Sequence, residues 1–83
     1  MSLSIKVKSV KPLENLCLLV GFENGIDKIY DIKQLFDKFE VYKELKNEDL
    51  FKLVKVDCGG YAVYWNDEID ISEVELWENG VEI

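Results

Sequence analysis

Two glycine-bearing dipeptides, Asn24-Gly25 and Gly59-Gly60, each divide a run in which alternate residues are apolar, and this pattern restricts the fold more than any other feature. A period of two marks extended strands, because successive side chains on a strand point to opposite faces. Asn-Gly holds two positive φ angles at low cost, so a two-residue type I′ turn is expected between Leu16 to Phe22 and Ile26 to Tyr30. That register sets Val20 opposite Ile29. Leu16, Leu18, Val20 and Phe22 share one side of the first strand, with Cys17 and Leu19 on the other, so both faces should be at least partly covered. Across Gly59-Gly60, read as a second two-residue turn, Val54, Val56 and Cys58 fall in phase with Tyr61, Val63 and Trp65, all facing a core. Lys55, Asp57, Ala62 and Tyr64 take the opposite, wet face. Earlier, Ser4 to Val10 alternates apolar residues with lysines, as suits an edge strand, and Pro12, lacking a backbone donor, should end it.

Helix signals lie between and after these hairpins. Asp31 can cap a helix whose apolar positions Ile32, Leu35, Phe36 and Phe39 follow the i, i+3, i+4, i+7 rule. Asn47 can cap a second, short helix that buries Leu50, Phe51 and Val54, with Glu48 and Asp49 at its positive end. Ser72 and Glu75 form a capping box, Ile71 and Leu76 a hydrophobic staple, and they start a helix from about Glu73 to Asn79. Gly80 should close it in the left-handed conformation. The order is β, β-hairpin, α, short α, β-hairpin, α. It implies an α+β fold with a mainly antiparallel sheet of about five strands and helices packed on one face. With 83 residues the chain holds one core, so residues 1–83 are read as a single domain.

The residue types that are missing exclude many functions. All ten basic residues are lysine, and the sequence has no Arg, His or Thr. It therefore has no imidazole base, no Ser-His or Cys-His nucleophile pair and no nitrogen ligand for zinc or copper. It also lacks the planar fork that grips phosphate through two hydrogen bonds. A net charge of −7 opposes direct binding to nucleic acid or anionic lipid. All ten lysines precede Asp57, so nearly all the negative excess sits in the last third and can steer a basic partner there. Cys17 and Cys58 stand far apart without a CxxC pair, and two reduced, mostly buried thiols in a cytoplasmic protein are expected. No apolar run approaches the length needed to cross a bilayer, and no export signal is seen.

The candidate sites are few. Asn66, Asp67, Glu68, Asp70, Glu73 and Glu75 form an acidic stretch, but an EF-hand register starting at Asn66 puts Ile71 at the turn glycine and Trp77 at the bidentate glutamate. No metal or cofactor is expected. Among the aromatic residues Tyr61 and Trp65 are assigned inward, leaving Tyr64 as the recognition candidate on the wet face. Tyr64, Asp67, Glu68 and Asp70 are accordingly the expected binding residues. Asp31 and Asp70 could be imagined as a catalytic carboxylate pair, but each has a local task at a helix start or turn. Gly59-Gly60 lacks the context of a phosphate cradle.

Two stretches together resemble a bacterial family, domain of unknown function 2442. They are Leu18 to Phe36, with its strand, Asn-Gly turn and Tyr-Asp-Ile step, and LFKLVKVDCGGYAVYWNDEIDISEVELWENG from Leu50 to Gly80. The resemblance implies a small α+β domain with no catalytic residues to carry over. It also suggests an accessory protein paired with another short chain, similar to toxin and antitoxin pairs. The expected role is a non-enzymatic protein-interaction module with a protein partner of basic character, acting as a monomer or weak homo-oligomer. The alternative is a small-ligand-binding domain or enzyme using carboxylates and Tyr64.

Overall fold

The alternation of the first third produces three antiparallel strands, β1 (Val7–Leu13), β2 (Cys17–Phe22) and β3 (Asp27–Asp31). A computed structural model describes residues 5–83, so Ser4 of the expected first strand lies outside the described residues. Pro12 does not end β1 but pairs opposite Leu18. It is tolerated because β1 lies at the sheet edge, where a missing donor breaks no ladder. Glu14–Leu16 connects β1 to β2 through one 3-10 turn, with Asn15 and Leu16 left-handed at φ 64° and 56°. Asn tolerates that region, whereas for leucine it costs about 1–2 kcal/mol.

The β2–β3 connection is one residue longer than a type I′ turn. Phe22 N–H donates to the Ile26 carbonyl at 3.0 Å, and Gly25 N–H donates to the Phe22 carbonyl at 3.0 Å. The loop is therefore Glu23–Asn24–Gly25, with Gly25 taking the positive φ of 88°. Val20 consequently pairs with Lys28, not Ile29, and Leu18 with Tyr30. A slip of one residue exchanges the faces of a strand. Here it buries Tyr30 completely and leaves Ile29 exposed. Lys28 is accommodated inside because its ammonium lies 3.8 Å from the centroid of the Trp77 ring and donates to the Trp77 carbonyl.

Asp31 caps as expected, its carboxylate accepting from Lys33 N–H at 2.9 Å. The segment it opens, Ile32–Leu35, is a 3-10 turn rather than an α-helix, and Phe39 is 56% exposed instead of facing the sheet. Ile32 and Leu35 are buried at a spacing of three, which suits a three-residue period as well as a 3.6-residue one. A second 3-10 segment, Glu40–Lys46, inserts Leu45 into the core. The expected short helix α1 (Glu48–Phe51) is present, with Asn47 Oδ1 accepting from Asp49 N–H at 3.0 Å and Leu50 N–H at 3.4 Å.

A second sheet holds β4 (Lys55–Val56), β5 (Ala62–Tyr64) and β6 (Asp70–Ser72). The pairs Lys55 with Tyr64 and Val56 with Val63 are those expected from the alternation. The connection is nevertheless wider than two residues: Asp57 N–H donates to the Ala62 carbonyl and Gly60 N–H to the Asp57 carbonyl, each at 2.9 Å. Released from the ladder, Cys58 and Tyr61 are exposed rather than inward, Tyr61 lying under the Lys6 ammonium. Cys17 is half-buried, so the expectation of mostly buried thiols fails at Cys58.

Helix α2 (Glu73–Asn79) begins where the capping box placed it, with Ser72 Oγ accepting from Glu75 N–H at 3.2 Å and Ile71 and Leu76 both buried. Gly80 is extended at φ −79°, not left-handed. Glycine is needed there for close approach instead, since a Cβ would lie 2.6 Å from the Leu76 carbonyl oxygen. The chain then enters β7 (Val81–Glu82), which pairs with β3 and completes the order β1-β2-β3-β7. The architecture is thus α+β, with seven strands in two antiparallel sheets among the described residues. One cluster that includes Leu18, Tyr30, Leu45, Val63, Trp65 and Leu76 forms the core between the elements.

Candidate functional site: an acidic hollow on the second sheet

The exposed side of the second sheet is built by alternation. Val63 points into the core, so its neighbours Ala62 and Tyr64 face outward, and Tyr64 stands between Lys55 on β4 and Asp70 on β6. After β5, Asn66 Oδ1 accepts from Glu68 N–H at 2.9 Å and Ile69 N–H at 3.0 Å. This side-chain turn directs Ile69 into the core. Asp57, Cys58, Ala62, Tyr64, Asn66, Asp67 and Asp70 together line an open hollow of about 360 Å³. Three of its lining side chains are carboxylates and none is a lysine. Tyr64 is 37% exposed, its ring available to a partner.

Three of the four expected binding residues, Tyr64, Asp67 and Asp70, therefore come together. Glu68 is exposed but does not line the hollow. Asp57 joins instead, and its signal is present in the alternation that puts it on the Tyr64 face. Among the described residues, no group of three or more Cys, Asp or Glu is placed to hold a metal ion. Asp31 and Asp70 have separate tasks: Asp31 pairs with the Lys33 ammonium at 3.0 Å, and the Asp70 carbonyl accepts from Tyr42 OH at 2.7 Å.

Two tyrosine hydrogen bonds that the sequence does not reveal tie the layers together. Tyr30 OH donates to Glu75 Oε2 at 2.7 Å, linking β3 to α2, while Tyr42 links the second 3-10 segment to β6. Burial, then the hydrogen bond to Glu75 and its charge, hold the Tyr30 hydroxyl well above its ordinary value of 10.0. Burial, then Asp70 and Glu75, push Tyr42 up as well. Because the folded state retains protons that the unfolded chain releases near pH 10, this contribution is complete below that pH and declines as pH rises. Melting temperature is accordingly expected to fall as pH rises above about 10, and Tyr30→Phe should flatten that fall. Equal slopes for both proteins would assign the alkaline loss elsewhere.

Fold and site together define a small α+β domain with two antiparallel sheets and an acidic, tyrosine-bearing outer face. The chain belongs to the protein family of unknown function DUF2442, whose model matches residues 7–82, nearly its full length. No curated protein and no solved structure matches it. No described helix is long and apolar enough to cross a membrane.

Proposed function

We propose that this chain is a protein-interaction module, without catalysis of its own, that receives a basic partner on the outer face of its second sheet. The observation that carries this reading is the convergence of Asp57, Asp67 and Asp70 around Tyr64 with no lysine lining the hollow. A lysine or arginine of the partner would lie over the Tyr64 ring, where cation and aromatic face attract, with the three carboxylates around it. The net charge of −7 raises the encounter rate with a positive surface. In this reading the protein is the acidic member of a two-protein pair in the cytoplasm.

The test uses tagged protein passed through extract of the native host, followed by titration of the recovered partner at low and high salt. Asp67→Lys/Asp70→Lys is expected to weaken binding by about tenfold or more, Tyr64→Ala by several-fold, and salt should weaken the wild-type complex. Circular dichroism establishes that both variants fold. A partner whose affinity is indifferent to these changes and to salt contradicts the assignment.

A further inference from the structure

A second recess, formed by other residues, lies where the β1–β2 turn meets α1. Pro12, Leu13, Leu16 and Phe51 form its apolar wall, and Glu14, Glu48 and Lys52 line it with them, enclosing about 280 Å³. That volume falls just below the range of small-molecule and cofactor pockets, so it suits one inserted side chain better than a whole ligand.

Leu16 belongs to this wall although its φ of 56° is unfavourable for leucine and easy for glycine. The Asn15 carbonyl, which accepts from Lys33 Nζ and from Cys17 Sγ, is tied down on either side of that turn. Non-glycine residues kept in such conformations concentrate where binding requires them. The three lining charges are two carboxylates and one ammonium, and Glu14, Glu48 and Lys52 are all exposed. An incoming segment therefore gains by carrying positive charge beside its apolar anchor.

We propose that this groove is a docking site for a segment of a partner protein that presents one large apolar side chain flanked by lysines or arginines. The side chain fills the space against Leu16 and Phe51, and the flanking cations face Glu14 and Glu48. The site is separate from the acidic hollow and stands or falls independently of it.

The probe is the capped tripeptide Lys-Leu-Lys, with Glu-Leu-Glu as its control, titrated into the full chain while backbone amide NMR shifts are followed. Saturable shifts at Leu16, Phe51 and Lys52 are expected, with a Kd of about 1 mM and at least about tenfold weaker binding of the acidic peptide. Glu14→Lys/Glu48→Lys should reverse that preference. Leu16→Gly should remain folded by circular dichroism, because glycine accepts the turn, yet lose the binding. Absence of saturation up to about ten times that concentration overturns the proposal, as does undiminished binding by Leu16→Gly. Shifts confined to Tyr64, Asp67 and Asp70 overturn it too, while supporting the acidic hollow.

Discussion

Gly60→Ala is expected to destabilise the protein by about 2–4 kcal/mol, through two effects that act at one atom. Gly60 has φ +76°, a conformation costing an alanine about 1–2 kcal/mol. The added Cβ would also lie 2.8 Å from the Val7 carbonyl oxygen, a backbone atom that no rotamer change can move. Relieving that overlap costs roughly a further 1–2 kcal/mol, the lower part of the usual cost of overpacking. It also pulls on the 2.8 Å hydrogen bond from Val7 N–H to the Gly60 carbonyl, which joins the start of β1 to the second sheet. For a domain of this size the loss corresponds to about 8–32 °C in melting temperature, at about 4–8 °C per kcal/mol. Gly25 is the control: its φ is +88°, but a Cβ there meets nothing within 4 Å, so Gly25→Ala should lose only the conformational part, about 1–2 kcal/mol. If thermal melts show the two variants equally affected, the seam between the sheets is not where the strain arises.

Trp65→Ala should be still more damaging, at about 3–5 kcal/mol, and that is a large share of the stability a small domain possesses. Trp65 is only 7% exposed, stacks on Phe51 with ring centroids 6.2 Å apart, and donates from its indole nitrogen to the Phe51 carbonyl at 2.9 Å. It therefore holds α1 against the second sheet through both packing and polarity. Trp65→Phe separates the two contributions. It preserves most of the apolar surface but leaves the Phe51 carbonyl without its donor, for an expected loss of about 1–3 kcal/mol. Urea denaturation gives both values directly. A mild effect of Trp65→Ala, below about 1 kcal/mol, would show that α1 is anchored by other contacts.

Legibility in the sequence obeys a distance rule. The caps at Asp31, Asn47 and Ser72 are legible because each is closed by an amide within three positions of the capping side chain. The β4–β5 register is legible because the two strands alternate in phase. Loop length is not: Asn24-Gly25 is compatible with a two-residue turn or with glycine at the end of a three-residue one, and only the burial of Tyr30 over Ile29 decides between them. Strands β6 and β7 are three and two residues long, too short for any periodicity to register. At the candidate site, Tyr64, Asp67 and Asp70 are found by alternation and charge, whereas Glu68 only adjoins them in the chain. The pairing of Tyr30 with Glu75 spans 45 positions and leaves no local trace.

The position of β7 has a consequence for synthesis. The first sheet draws three strands from residues 7–31 and its fourth from residues 81–82, so a growing chain presents the free edge of β3 until those last residues emerge. At ordinary ribosomal elongation rates that interval is on the order of 3–10 s. Throughout it Lys28 and Ile29, the two residues that β7 covers, lack their ladder partners, and the sheet border stays open at that point.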